Sequence, residues 1–301
     1  MIRNIVRKGR HTELFWRYGF NFFPSVNYKL HSKGHLKGAA LDVVNNLNEK
    51  GIAITSVEEL FGKSDEFAEI DSTVKTIVGD RREELKILKA AARGVKTVGE
   101  KTFNVELLGS LLNFEQDDVF ARFALQETLL NIANYYFGML VKLRYYNVWL
   151  TFATDAESRE SQLWHFDRED NYILKIFLYL DDVDEGTGPF TYAPKTHRKG
   201  KLRNINPEHF FEGVVQRSTD EQMAEVVPCE EWIRAVGKKG TIVFADTRGF
   251  HKGGEAREKD RLMYTCMFTS AASESKRLLN FPGAVPTEKL TNLQIAALEI
   301  K

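Results

Sequence analysis

The chain has 301 residues, 43% hydrophobic and 28% charged, a composition that excludes a disordered or fibrous protein and suits one decorated globular unit. Its 42 basic residues balance 42 acidic ones, so it lacks the electrostatic surplus of a protein that grips long nucleic acid. Two cysteines are too few for a disulfide framework, no stretch approaches a membrane-spanning length, and the basic start Met1 to Arg10 has no apolar h-region; a cytoplasmic protein without membrane or nucleic-acid partners is expected.

Residues 12 to 28 carry seven aromatics, Phe15 to Tyr28, which read as an arm packed on the core for its buried area. From Leu36 to Lys50 apolar residues recur at helical spacing, and Gly51 follows where a helix terminus favours glycine. Ile52 to Thr55 reads as a short strand, and Ser56 with Glu59 offers a capping box to the next helix. Residues 64 to 101 are charged and mainly helical or looped, with no site chemistry. Asn113 can cap a long helix through Phe137, apolar on two sides and so wedged against a sheet. Strand patterns follow at Leu140–Phe152, Trp164–Asp167, Tyr172–Leu180, Gly188–Ala193, Gly240–Ala245 and Arg261–Thr269. Short strands between Gly, Pro and Asp turns argue for an antiparallel sandwich or jelly roll. A polar insertion at Lys199–Lys239 is the candidate for specificity. The amphipathic end, Thr287 to Ile300, is expected to dock on the chain's own core.

His165-Phe166-Asp167, then His251, then Arg261 propose a mononuclear iron site with an anionic co-substrate. Two imidazoles and a carboxylate on one face of a divalent ion leave open positions for substrate and dioxygen. On a strand, alternate side chains share a face, so His165 and Asp167 can hold one ion while Phe166 packs away from it. With seven histidines, chance supplies a His-x-Asp about one time in three, so the context matters. His11-Thr12-Glu13 lacks strands that could return a third ligand and reads as surface. Gly240 to His251 is a strand with a turn that delivers a histidine. Arg261 heads another strand with a fork that can hold a carboxylate, and is preferred over Arg257 in a polar turn. Lys175, alone in an apolar strand, and Arg144 are further anion contacts for co-substrate or substrate, whereas His197 and His209 are read as non-ligands.

Trp164-His165-Phe166-Asp167, Leu180-Asp181-Asp182, Gly188-Pro189-Phe190, Pro194-Lys195-Thr196-His197, Gly240 to His251 and Arg261 occur in the order found in the phytanoyl-CoA dioxygenase family of Fe(II)- and 2-oxoglutarate-dependent oxygenases, which the chain resembles. Pro194 to His197 departs from the usual Gly-Ser, so no co-substrate contact carries over to Thr196. The resemblance implies an α+β protein, mainly β with flanking helices, around a double-stranded β-helix core. It implies iron held by His165, Asp167 and His251, and 2-oxoglutarate chelating iron with its distal carboxylate on Arg261. With dioxygen the co-substrate becomes succinate and carbon dioxide while a substrate loses hydrogen. Because the carboxylate ligand is retained, the chain looks like a hydroxylase, desaturase or oxidative cyclase rather than a halogenase.

The organisation expected is a single oxygenase domain over 1–301: N-terminal arm and helices at 1–139, jelly-roll core at 140–270 with a lid-like insertion at 199–239, and C-terminal tail and helix at 271–301. The leading reading is an enzyme oxidising a C–H bond of a small-molecule substrate. The residues leave open a protein-modifying hydroxylase, a cupin-like metalloprotein that does not use 2-oxoglutarate and a silent jelly-roll binding module. They name neither prime substrate nor oligomeric state.

Overall fold

Alternating apolar residues between Lys142 and Thr269 become two facing antiparallel sheets in the computed structural model, which describes residues 12–31, 36–94, 103–208, 210–212 and 216–300. The basic start, His11 and His209 lie outside the described residues. The larger sheet contains β1 (Ile52–Ser56), β2 (Asn104–Glu106), β4 (Lys142–Thr151), β5 (Leu174–Tyr179), β8 (Thr241–Asp246) and β10 (Arg261–Thr269), in the order β1-β8-β5-β10-β4-β2. The smaller contains β6 (Thr191–Tyr192) between β7 (Ile233–Arg234) and β9 (His251–Lys252). A parallel pair joins β3 (Leu112–Asn113) to β11 (Leu279–Asn280). With its flanking helices this is the α+β, double-stranded β-helix architecture expected.

Side-chain alternation decides what each face does. Ile176, Leu178, Tyr264, Cys266 and Phe268 point outward into the main core, while Phe177, Tyr179, Val243 and Met263 point inward toward Phe190 and Tyr192. Each large apolar side chain so buried contributes roughly 1.5–3 kcal/mol. The helices α1 (Phe22–His31), α2 (Gly38–Lys50), α3 (Val57–Phe61), α4 (Asp65–Asp80), α5 (Arg82–Gly94), α6 (Val119–Ala124) and α7 (Glu127–Phe137) precede β4. Of these, α2 buries Val43, Val44 and Leu47, and α7 buries both of its apolar stripes against the outer face, as its sequence implied. Gly51 ends α2 at φ +84°, and a Cβ there would lie 2.3 Å from the Tyr192 hydroxyl, so the turn needs glycine twice over. Ser56 and Glu59 form the expected capping box on α3.

Three expectations are corrected. The helix read from Asn113 to Phe137 is two helices, because Asp118 caps Phe120 N–H and starts α6, while Asn113 pairs with the distant Asn280 in β3. Most aromatics of the N-terminal arm face outward, Phe23 being 74% exposed; Trp16 alone among them is nearly sealed, its indole N–H donating to buried Asp170 at 2.5 Å. Trp164 to Asp167 is no continuous strand but two isolated bridges, Trp164 to Ser218 and His165 to His251. Late in the chain come α8 (Asp220–Ala224) and α9 (Asn292–Leu298). The latter docks on the core as expected, burying Ala297 and Leu298, with Lys142 Nζ donating to Ala296 O at 2.6 Å.

Candidate metal centre

His165 and His251 arrive from opposite ends of the jelly roll, yet their backbones pair directly: each amide donates to the other's carbonyl, at 3.0 and 2.9 Å. Directly opposed residues of an antiparallel pair project to one side, and the two rings stand 4.3 Å apart between centroids. Asp167 joins them through its own anchors. Its amide donates to Thr247 O at 2.8 Å, and its carbonyl accepts from Arg248 Nη1 at 2.7 Å. One ligand atom from each of His165, Asp167 and His251 lies within 4.8 Å of the others.

A carbonyl can only accept, so His165 Nδ1–H donates to Leu163 O at 2.8 Å and His251 Nδ1–H donates to Gly249 O at 3.0 Å. Each ring is thereby fixed in the tautomer that leaves Nε2 with a free lone pair, the arrangement of a metal-binding imidazole. Burial pushes the His251 imidazole down to about 4, and burial with the neighbouring His251 ring pushes His165 well down also, so both are neutral at pH 7. Burial alone would raise the Asp167 carboxyl, but the Lys175 ammonium 2.7 Å away, with the two imidazoles, holds it well below the carboxylate range. The same carboxylate overrides burial at Lys175 and keeps its ammonium protonated. Two neutral nitrogen donors and one anionic oxygen donor suit a divalent iron ion.

A cavity of about 810 Å³ opens before these three groups and runs along the inner face of the larger sheet. Strand register spaces its charges. Arg261 pairs with Thr151 at one end, Met263 with Trp149 next, and Met267 with Lys175 at the other end. At about 3.4 Å per residue the six-residue interval puts the two cationic backbones roughly 20 Å apart. The Arg261 guanidinium is buried, and among the described residues Nε and Nη1 have no hydrogen-bond partner while Nη2 has only Thr151 Oγ1 at 3.5 Å. A buried guanidinium left this bare is chemically suited to an oxyanion.

Lys175 lines the cavity, paired with Asp167, and Arg144 does not line it. Arg144 is the residue skipped where Met267 pairs with Tyr145 and Phe268 with Leu143, a bulge that turns it away. Its Nε donates to Thr269 Oγ1 at 2.6 Å, Nη2 to Ser270 O at 2.7 Å, and Nη1 pairs with Glu299 at 3.2 Å, so it braces the chain's end. Arg257 is spent on the carbonyls of Thr154 and Ala156, and His197 is buried against Asn48 O, away from the ligands. Sequence reasoning missed three features of the site. Trp149 lines the cavity with Nε1 unpartnered among the described residues, Arg248 pins the Asp167 carbonyl, and Arg217 enters from the insertion. The alternation of β4 pointed to Trp149; nothing local pointed to Arg217.

The model of the phytanoyl-CoA dioxygenase (PhyH) family matches residues 57–261, more than half of the chain. No curated protein matches the chain by sequence. Solved structures share the fold. EctD from S. alaskensis with 2-oxoglutarate and 5-hydroxyectoine aligns with a TM-score of 0.54 at 17% identity over 90% of each chain. The epimerase SnoN, in complex with Fe3+, alpha ketoglutarate and nogalamycin RO, aligns at 0.51 and 19% identity over 82% of this chain and 93% of its own. The carbocyclase SnoK from nogalamycin biosynthesis aligns at 0.50 and 14% identity over 81% and 90%.

Proposed function

The chain belongs to the phytanoyl-CoA dioxygenase family, whose members are Fe(II)- and 2-oxoglutarate-dependent dioxygenases, and on that premise we propose that it oxidises a C–H bond of a small-molecule substrate by hydroxylation, desaturation or ring closure, with release of succinate and carbon dioxide. The observation that carries this reading is the convergence of His165, Asp167 and His251, whose ligand atoms lie within 4.8 Å of one another while the Nδ1 of each imidazole is tied to a carbonyl and its Nε2 left free. The bound iron and 2-oxoglutarate supply the oxidising power, drawn from dioxygen. The chain's own residues do the holding.

His165 and His251 remain neutral donors, and the carbonyls behind them keep the rings from turning. Lys175 occupies one oxygen of Asp167 and leaves the other for the metal. Arg261 receives the distal carboxylate of 2-oxoglutarate, which supplies the partners its Nε and Nη1 lack. Buried walls from Phe177, Phe190 and Met263 exclude water and strengthen these charge contacts. The cavity volume falls in the range of small-molecule sites, which favours a small substrate over a protein side chain. Neighbours of this fold include an epimerase and a carbocyclase, so the fold leaves the reaction type open.

The test is an anaerobic titration of metal-free protein with Fe(II) and then 2-oxoglutarate, following the visible charge-transfer band of the chelate. The band should form in the wild type and be lost or shifted in Asp167→Ala. Folded, iron-loaded wild type that gives no band would refute the assignment of these ligands.

A further inference from the structure

The polar insertion pairs by backbone with the segment that carries His165. Trp164 and Ser218 form an antiparallel bridge, their amides and carbonyls paired at 2.9 and 3.0 Å. In an antiparallel pair, one step forward on one strand is one step back on the other, so His165 stands opposite Arg217. His165 also stands opposite His251 on its other side. Three neighbouring backbones therefore project Arg217, His165 and His251 toward the same cavity, which all three line.

Arg217 is held, yet it is not neutralised. Its Nε donates to Glu160 O at 3.1 Å and its Nη1 to Gln216 O at 3.0 Å; both are carbonyls, and among the described residues no carboxylate pairs with it. Glu160 presents that carbonyl from a left-handed backbone, φ +51°, which costs a non-glycine residue energy and is a mark of functional loops. Two residues beyond the bridge the insertion is fastened again. Asp220 accepts from Trp164 Nε1 at 2.7 Å and pairs with Lys252 Nζ at 2.6 Å, tying the insertion to residues beside both histidines. Glu106 and Glu169 line the same cavity, and neither pairs with Arg217.

We infer that Arg217 is the substrate-recognising residue of the insertion and that the prime substrate carries an oxyanionic group, a carboxylate or a phosphate, a few bonds from the carbon that is oxidised. The inference rests on the metal reading above and adds the substrate class to it. Arg261, the other cation among the described cavity-lining residues without a carboxylate partner, belongs to the far end of the cavity, so the two arginines serve two different anions. Phe103, Val105, Trp149 and Phe177 line the space between and suit an apolar body. Because Arg217 stands opposite His165 in the same cavity, the oxidised carbon belongs in the neighbourhood of the anionic group.

A charge series of equal chain length tests this: octanoate, octyl phosphate, octanol and octylammonium titrated into the Zn(II)-loaded protein saturated with 2-oxoglutarate, read by tryptophan fluorescence and calorimetry. Octanoate or octyl phosphate should bind about tenfold or more tightly than octanol, and which of the two binds better identifies the anion. That preference should vanish in Arg217→Gln and survive in part in Arg217→Lys, with 2-oxoglutarate affinity unchanged in both. Equal affinity across the series in wild type would overturn the proposal, and this arm needs no variant to fold. So would a preference retained in Arg217→Gln, or one lost only in Arg261→Gln, which would assign the anion to the co-substrate's subsite. Failure of the Fe(II)–2-oxoglutarate band would sink the metal reading instead, and the series on metal-free protein would still decide the role of Arg217.

Discussion

Replacing Arg261 by methionine should make the empty protein more stable and the loaded protein less so. The side chain is 4% exposed, and its Nε and Nη1 are unmet among the described residues. Each buried unmet donor costs about 1–3 kcal/mol. Methionine fills similar space without donors, so the metal- and co-substrate-free variant should gain about 2 kcal/mol after some packing is lost. The guanidinium keeps its charge although burial lowers its pKa. Two charge-assisted bonds to a carboxylate at about 1.5–3 kcal/mol each imply that the variant loses roughly 10²- to 10⁴-fold in 2-oxoglutarate affinity, at 1.4 kcal/mol per decade. Wild type at a hundredfold excess over Kd gains about 2.7 kcal/mol from the ligand, and the variant gains almost none. Thermal unfolding with and without 2-oxoglutarate, beside the anaerobic chelate titration, reads all of this. A variant that is less stable when empty and still binds 2-oxoglutarate normally would refute the reasoning, because Arg261 would then be a satisfied structural residue.

Arg144→Gln should cost about 1–3 kcal/mol in denaturant unfolding, since Thr269 and Ser270 lose a buried donor; a change in 2-oxoglutarate affinity would restore it to the site. The metal-free protein should lose stability as pH falls from about 6.5 toward 4. His251 is depressed to about 4 when folded, so the unfolded chain binds the extra proton in that window and stability rises with pH there. The effect approaches about 3 kcal/mol at 1.36 kcal/mol per unit, and urea unfolding of His251→Gln should show the slope reduced; an unchanged slope would assign it elsewhere. Gly188 sits at φ +69° with the position of a Cβ 2.3 Å from the Glu255 backbone. Gly188→Ala should cost about 2 kcal/mol or more, and an unmoved unfolding midpoint would contradict that contact.

What the sequence made legible was local. Period-two alternation set β4, β5, β8 and β10 within two residues of their ends, and the Gly51 and Ser56 signals bounded α2 and α3. The ligand residues stood out because imidazole, carboxylate and guanidinium are costly to bury, so their presence in apolar runs needs a reason. What stayed hidden depended on pairing between distant segments. The bulge at Arg144 exists only relative to β10, and Asn113 left its helix for a partner 167 residues away. Arg217 meets His165 through one bridge across 52 residues, in a polar stretch with no periodicity to announce it.

The mutual amide pairing of His165 and His251 works like a caliper with two fixed points. The gap between the imidazoles is set by the polypeptide rather than by the ion, so loss of metal should leave the pair standing, and an ion of different radius cannot be accommodated by spreading them. The adjustable point is Asp167, which sits outside any strand and shares its carboxylate with Lys175. Discrimination among divalent ions is thereby delegated to a carboxylate that an ammonium holds by one oxygen while the other is left to the metal.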